Sequence, residues 1–197
     1  MSRPVVIDDD QILNAAREVF LEKGFGASTA EISRRAHVSE GSLFRRYATK
    51  QDLFFAAMGP PGDLPWFATL ERMSGKGKLK SNLVELGVEM IEDVRAILPR
   101  LSMFWAARVS PPPDFHKSEN FPPMKMKRKL AEFFACEIEL GRMRKCDPDL
   151  AGAVFMGGIQ SLAMGEMMGN QTKVPARRYA ETMVDFLWRA FAPAGSR

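Results

Sequence analysis

The chain has 197 residues, of which 46% are hydrophobic and 26% charged, proportions that are ordinary for a globular protein able to bury a core. Its formal net charge of +4 at pH 7 is mild and allows an acidic partner such as nucleic acid. No apolar run approaches the roughly 20 residues that a membrane span needs, and the early stretch VVIDDD ends in aspartates, so we expect neither a membrane protein nor a signal peptide but a cytoplasmic protein.

Apolar residues at helical spacing predict a first helix that follows the aspartates at 8–10. These aspartates supply an N-cap and place negative charge at the positive end of the helix dipole. The apolar stripe recurs at i, i+3, i+4, i+7 and i+8, as Ile12, Ala15, Ala16, Val19 and Phe20. Gly24 is expected to end this helix, because glycine accepts the left-handed conformation that closes a helix.

Three short helices are predicted next. The sequence STAE at 28–31 is typical of a capping box, in which the serine and the glutamate bond each other's backbone, and it predicts a helix to about Ala36. Residues 37–39 form a turn, and Ser39 is placed to cap a third helix. A fourth helix is expected to begin near Thr49. A short helix, a three-residue turn and another short helix, preceded by a longer one, indicate a helix-turn-helix.

The third helix carries residues that do not help it to fold. Only Leu43, with Val38 before it and Tyr47 after it, is needed to hold it on the core. Its other positions are expected to face outward, namely Glu40, Gly41, Ser42, Arg45 and Arg46. Gly41 costs about 1 kcal/mol of helix propensity, but without a side chain the helix can approach another surface closely. Arginine bonds bidentately to guanine or to phosphate. Five Lys or Arg residues against two Glu between 29 and 50 concentrate positive charge here, which indicates nucleic-acid binding.

The phrases ILNAAREVFLEKGF, EISRRAHVSEGSLFRRY and TKQDLF occur in order within residues 11–58. In sequence and spacing this run resembles the N-terminal domain of TetR/AcrR-type transcriptional regulators. The resemblance implies a helix-turn-helix that binds a DNA operator as a homodimer, and a C-terminal helical domain that binds an inducer and dimerises.

The resemblance also implies roles for individual residues. Thr29 resembles a hydroxyl that contacts phosphate, Gly41 and Ser42 resemble the residues closest to the major groove, and Lys50 resembles a lysine that meets the DNA backbone. The full predicted DNA-binding set is Ser28, Thr29, Ser39, Glu40, Gly41, Ser42, Phe44, Arg45, Arg46, Tyr47 and Lys50.

Three positions depart from the family pattern. Phe44 stands where the family usually has tyrosine, which removes a hydroxyl-to-phosphate bond, and Arg46 stands where histidine is common, which adds a full charge. Tyr47 replaces a usual phenylalanine and returns a hydroxyl nearby. Arg45 is a candidate base reader, whereas Arg46 is open to either a base or a phosphate.

Beyond the interruption GPPGDLPW the pattern remains helical. An apolar stripe predicts a helix ending at Pro99 and another over 101–109, and the proline-rich residues 110–123 predict a surface loop. The next helix is expected to end at Gly141.

Two further helices complete the predicted fold. Asp147 and Pro148 are typical of a helix start, as is Pro175 before the last helix. No strand-like alternation persists, so we predict an all-α fold. Residues 1–58 would form the helix-turn-helix DNA-binding domain, and residues 59–197 the ligand-binding and dimerisation domain.

The helix predicted over 148–169 carries Gly152, Gly157, Gly158 and Gly165, and four glycines cost roughly 3–4 kcal/mol of helix propensity. Close helix packing would offset this cost. We hypothesise that this helix and the one at 176–191 form a four-helix dimer interface, and the alternative is packing of the same small residues within one chain. The interface candidates are Gly158, Ser161, Gly165, Tyr179, Met183, Phe186 and Leu187.

Eleven of the 13 methionines lie beyond residue 60, and methionine suits adaptable apolar pockets. A cavity for a small apolar or amphipathic effector is therefore a hypothesis, with ordinary core packing as the alternative. The candidate lining residues are Met90, Met103, Phe104, Trp105, Phe133, Met156 and Met164, with Gln160 and Arg108 as polar groups.

The leading hypothesis is a ligand-responsive repressor of a palindromic operator. One alternative is a small-molecule-binding protein without a DNA role, for which Phe44 is the supporting residue. Another is an enzyme that uses the C-terminal cavity, but His37 and His116 have no matched nucleophile or carboxylate pair. Cys136 and Cys146 have neither the number nor the spacing of a zinc site, so neither a metal nor a cofactor is expected.

Overall fold

A computed structural model describes residues 9–59, 63–108, 122–169 and 173–193. Regular structure in these ranges is entirely helical, which confirms the predicted all-α fold. The helices are α1 (Asp9–Lys23), α2 (Thr29–Arg35), α3 (Glu40–Arg46), α4 (Lys50–Met58), α5 (Pro65–Met73), α6 (Leu79–Ala107), α7 (Pro122–Glu139), α8 (Pro148–Met167) and α9 (Ala176–Phe191). None of the helices in the described ranges is long and apolar enough to cross a membrane.

The helices group into two compact units. The first contains α1 to α4 and the end of α6 from Pro99 onward, and the second contains α5, α6 up to Leu98, and α7 to α9. The division therefore falls inside one continuous helix, so α6 contributes residues to both units.

The core of the first unit is built on the apolar stripe predicted for α1. All five residues of the stripe are at most 7% exposed. Gly24, with φ +69°, follows the end of α1 as predicted. Phe54 of α4 lies edge to face against Phe20, Phe25 and Phe104, with ring centroids 4.9, 5.0 and 5.1 Å apart. Each such pair adds about 0.5–1.5 kcal/mol beyond its buried area.

The capping box predicted at 28–31 does not form. Ser28 is the N-cap residue of α2, but its side chain makes no capping hydrogen bond. Glu31 forms ion pairs with Lys23 and with Arg35 instead. Two cations within reach of one carboxylate favour charge pairing over a bond to the backbone. The predicted capping bonds between Ser28 and Glu31 were therefore wrong, whereas the predicted start of α2 was right.

The helix α5 was not predicted. Leu64 is its N-cap residue and Pro65 its first residue, a position where the missing N–H of proline costs no hydrogen bond. Its buried residues are Trp66, Phe67, Thr69, Leu70 and Met73.

The helix α6 runs unbroken for 29 residues with Pro99 inside it. The predicted end at Pro99 and the separate helix over 101–109 are therefore wrong. An interior proline removes one backbone hydrogen bond and costs about 3 kcal/mol or more. Beyond it, Met103 and Phe104 pack against the core of the first unit, and this burial offsets the loss.

The helix α7 begins at Pro122, so the last residues of the predicted loop are helical, while residues 109–121 lie outside the described ranges. Near its end, Glu137 is 0% exposed and pairs with Arg142 at 2.6 Å. The Glu137 carboxylate also accepts a hydrogen bond of 2.8 Å from the backbone N–H of Gly75. This buried carboxylate joins the turn after α5 to the turn after α7.

The helix α8 is closely packed at Gly152. Asp147 caps α8 as predicted, accepting hydrogen bonds from the backbone N–H groups of Asp149 and Leu150. A Cβ added at Gly152 would lie 3.2 Å from the Cβ of Leu130 in α7. The glycine therefore allows α7 and α8 to approach closely within the chain.

Candidate DNA-binding surface

The turn between α2 and α3 determines how α3 is presented. His37 has φ +52°, a left-handed conformation that reverses the chain. Ser39 Oγ accepts a hydrogen bond of 3.1 Å from the backbone N–H of Ser42, which confirms the predicted N-cap. Leu43, at 0% exposure, holds the helix on the core. The opposite side of α3 is left open to solvent.

We call the exposed side of α3 the recognition face. It consists of Glu40, Gly41, Phe44, Arg45 and Arg46. At 100° per residue, Gly41 and Arg45 lie in the middle of this face and opposite Leu43. A Cβ added at Gly41 would meet only Ser39 Oγ, at 3.9 Å. Packing among the described residues does not require a glycine here, so within the described part of the chain the space beside Arg45 is open.

Arg45 is held by a chain of hydroxyl groups. Its Nη2 donates to Ser42 Oγ at 3.1 Å, and Ser42 Oγ lies 2.9 Å from Ser39 Oγ. Because these partners are neutral, they orient the guanidinium without cancelling its charge. Arg45 is therefore a positioned cation at the centre of the recognition face, and the contacts of the described residues give it no carboxylate partner.

Glu40 occupies the flank of the recognition face nearest α2. Its carboxylate accepts a hydrogen bond of 2.8 Å from Thr29 Oγ1. Thr29 was predicted to contact phosphate, and its hydroxyl is engaged with Glu40 in this state. The neighbouring Ser28 is exposed. Phe44 is 40% exposed and presents its ring beside this flank.

Arg46 occupies the opposite flank and is bonded to α1. Its guanidinium Nη1 donates to the carboxylate of Asp9, forming an ion pair. Tyr47 follows as the C-cap residue of α3 and is half-buried. Burial raises the pKa of the Tyr47 hydroxyl, and the positive charge of Arg46 acts on this pKa in the opposite direction.

Lys50 begins α4, where backbone N–H groups point out of the helix N-terminus. Its Nζ lies 4.9 Å from the centre of the Phe25 ring, a cation–π contact. Thr49 and Asp52 form a capping box at this helix end, so the signature misassigned to α2 belongs to α4. The cation–π contact leaves the charge of Lys50 unpaired with any carboxylate among the contacts described for it.

The remaining basic residues of the helix-turn-helix divide between surface and structure. Arg34 is exposed. Arg35 bonds both oxygens of Glu22, at 2.7 and 2.6 Å, and also bonds Glu31. Hydrogen bonds from Arg35 lower the pKa of Glu22, and those from Lys23 and Arg35 lower the pKa of Glu31. Arg35 thus joins α2 to α1 and is not part of the recognition face.

The predicted effector residues do not lie together. Met90 and Phe133 are buried in the core of the second unit and Met156 packs against it, whereas Met103 and Phe104 pack in the first unit. Other members of the predicted set are partly or fully exposed, namely Met164, Gln160 and Arg108. The side chain of Trp105 lies outside the described residues. The predicted set is therefore divided between the two units, and the effector site stays a prediction.

The predicted interface residues divide into two groups. Gly158 contacts Tyr179 and Met183, since Tyr179 Oη donates to the Gly158 carbonyl at 2.7 Å and a Cβ at Gly158 would lie 2.7 Å from Met183 Sδ. This is the packing within one chain that the sequence left as the alternative. The others retain exposed surface: Ser161, Gly165, Phe186 and Leu187. Phe186 is 67% exposed.

Two contributors to the surface were missed from the sequence. Asp9 was interpreted only as a helix cap, and it also binds Arg46. Phe25 was not considered, and its ring forms a cation–π contact with Lys50 Nζ. No local pattern identifies either pair, because each joins residues far apart in the chain.

Residues 12–57 match the family model described as bacterial regulatory proteins, tetR family. The uncharacterized HTH-type transcriptional regulator YvkB of Bacillus subtilis (strain 168) is 32% identical over 85 residues. That alignment covers 43% of this chain and 43% of the length of YvkB.

Solved structures extend the likeness to nearly the whole chain. A TetR-family regulator from Mesorhizobium loti superposes with a TM-score of 0.75 and 19% identity, covering 93% of this chain and 96% of the other. SmeT, the repressor of the Stenotrophomonas maltophilia multidrug efflux pump SmeDEF, gives a TM-score of 0.65 at 18% identity, covering 94% and 91%. The complex of SmeT with triclosan gives 0.63 at 18% identity, covering 94% and 92%. Residues 12–57 therefore carry the pattern of the tetR family of bacterial regulatory proteins, and the fold of nearly the whole chain is similar to that of TetR-family transcriptional regulators.

Proposed function

We propose that the protein is a ligand-responsive transcriptional repressor that binds a palindromic DNA operator as a homodimer. The observation that carries this proposal is the recognition face, where Arg45 is positioned by Ser42 beside the open space at Gly41. An α-helix fits the major groove of B-DNA, and a helix start without a Cβ can approach the base edges.

Arg45 reads a base in this proposal. An arginine bonds bidentately to the O6 and N7 atoms of guanine, and such a pair contributes about 1–3 kcal/mol of discrimination. Ser42 acts as a positioning residue, because its hydroxyl restricts the guanidinium before DNA arrives. We therefore expect a guanine in each half-site opposite Arg45.

The DNA backbone is held by groups at the edge of the surface. Lys50 and the N-terminus of α4 are suited to a phosphate, since both offer positive potential at one place. Thr29 contributes its hydroxyl once it turns from Glu40. These contacts set position and orientation without reading sequence.

The second unit supplies dimerisation and effector binding. The fold is shared with SmeT, which is a repressor and forms a complex with triclosan. For this chain we propose a small apolar or amphipathic effector, bound in the methionine- and phenylalanine-rich second unit. Effector binding would favour a dimer in which the two α3 helices no longer match operator spacing. We propose no catalytic role and a cytoplasmic location.

The test is DNA binding with sequence discrimination. A duplex selected from a random library and a scrambled duplex of equal length are titrated with wild-type protein and with Arg45→Ala, followed by fluorescence anisotropy. We expect Arg45→Ala to lose about 5- to 150-fold in affinity for the selected duplex, the equivalent of one bidentate base contact, and far less for the scrambled one.

Arg144→Ala is the matched control, since Arg144 is an exposed arginine of the second unit. It should leave both affinities unchanged. Equal wild-type affinity for selected and scrambled duplex would contradict the repressor function. It would favour a small-molecule-binding protein without a DNA role.

A further inference from the structure

The two arginines at the end of α3 differ in their partners. Arg45 donates to the neutral hydroxyl of Ser42, at 3.1 Å. Arg46 donates to the carboxylate of Asp9, which lies 37 residues earlier in the first turn of α1. Both members of this ion pair retain exposed surface, with side-chain exposures of 35% for Arg46 and 61% for Asp9.

A carboxylate partner changes what an arginine contributes to DNA binding. Each cation that neutralises a phosphate releases condensed counterions, and this release dominates sequence-independent affinity. An arginine already neutralised by Asp9 contributes no such release unless the phosphate displaces the carboxylate. The nearby aspartate also repels the phosphate that would do so.

From this geometry we propose that Asp9 is a specificity-determining residue of the DNA-binding surface. Its carboxylate withholds Arg46 from the DNA backbone and lowers sequence-independent affinity, so that the base contact of Arg45 accounts for a larger share of operator binding. The inference rests on the proposed function, because it concerns how the same surface separates operator from other DNA. It also explains how the chain carries an arginine at position 46 without gaining one more phosphate contact.

The position of the pair supports this role. Arg46 and Glu40 lie on opposite flanks of the recognition face, and each is bonded to a different neighbouring helix, Glu40 to Thr29 and Arg46 to Asp9. Only Arg45 among the charged residues of this face is held by its own helix. The charges on the two flanks, Glu40 and Arg46, are thus bonded to neighbouring helices, whereas the central Arg45 is bonded only within α3 among these contacts.

The experiment measures the salt dependence of binding to a random-sequence duplex. Affinities are measured between about 50 and 200 mM salt for three proteins: wild type, Asp9→Asn and Glu18→Gln. In a plot of the logarithm of affinity against the logarithm of salt concentration, each neutralised phosphate adds about −0.9 to the slope. Glu18 is the control, because it is an exposed acid of the same helix. We expect the Asp9→Asn slope to be steeper by about 0.9, with severalfold tighter binding to random duplex and a smaller operator-to-random ratio. The Glu18→Gln slope should match wild type.

Removing Arg46 completes the test. Arg46→Ala should leave the wild-type slope unchanged, and Arg46→Ala combined with Asp9→Asn should return the slope to the wild-type value. Circular dichroism melts confirm that each variant is folded. Equal slopes for Asp9→Asn and Glu18→Gln would overturn this inference and leave the proposed function standing. A slope shallower by about 0.9 in Arg46→Ala would do the same, because it would mean that Arg46 binds phosphate despite Asp9. Absence of any duplex binding by the wild type would overturn both the inference and the proposed function.

Discussion

Ser28 and Ser39 occupy equivalent positions at the starts of α2 and α3, yet their side chains behave differently. Ser39 accepts a hydrogen bond from Ser42, and Ser28 makes no capping bond. We expect Ser39→Ala to lower the free energy of unfolding by about 1 kcal/mol, the usual value of a serine cap, and Ser28→Ala to lower it by much less. Urea unfolding followed by circular dichroism measures both. A loss at Ser28 equal to that at Ser39 would contradict the assigned capping.

For single residues, the sequence predicted which side chains of α3 are exposed but not which partners they bond to. The exposure of Gly41 and Arg45 follows from helical periodicity, because Leu43 fixes the buried side. The partners of Glu40 and Arg46 lie 11 and 37 residues away in the chain. Such pairs depend on how three helices pack, which no local spacing encodes.

Among the helices, α6 shows where local rules fail. A proline ordinarily ends a helix, and the sequence supports that prediction at Pro99. The structure continues the helix because Met103 and Phe104 find a buried surface beyond it. Tertiary packing outweighs a local cost of about 3 kcal/mol, and only the partners of α6 reveal this.

A charged cluster joins α6 to α8 and to the segment before α9. Arg95 donates to both oxygens of Glu166, at 2.8 and 2.6 Å, and also to the Val174 carbonyl. The hydrogen bonds from Arg95 lower the pKa of Glu166. A carboxyl whose pKa is lower in the folded than in the unfolded state stabilises the protein above its unfolded pKa, and this stabilisation is lost as the pH falls through the folded value.

We therefore expect Glu166→Gln to destabilise the protein at pH 7, and the difference from wild type to shrink as the pH is lowered through the acidic range. Unfolding free energies measured by urea titration at a series of pH values test this. Glu92→Gln is the control, because Glu92 also pairs with Arg95 but is 61% exposed. Glu92→Gln should change the free energy of unfolding little at any pH, since exposed ion pairs contribute about 0–1 kcal/mol. A Glu166→Gln effect that is constant with pH would exclude the ionised pair as its source.

For the whole molecule, the glycine pattern of α8 was ambiguous between two kinds of packing. Gly152 and Gly158 serve contacts within the chain, with Leu130 and Met183. Large apolar side chains nevertheless stay exposed on α8 and α9: Leu150 at 64%, Val154 at 54% and Phe186 at 67%. The sequence pattern located these two helices, and we propose that the side chains left exposed on them are the surface that a second copy would bury.

Phe186 is the side chain on which the proposed homodimer is tested. Exposed aromatic residues are common at the centres of protein interfaces, where removing one costs about 2 kcal/mol or more. Phe186→Glu also places a charge in that interface, so we expect at least about a 30-fold weaker dimer. Sedimentation velocity across micromolar concentrations measures the change. Leu140→Glu is the control, because Leu140 is 56% exposed but lies outside α8 and α9. A dimer unaffected by Phe186→Glu would place the interface elsewhere, and a wild-type monomer at micromolar concentration would remove the basis for binding a palindrome.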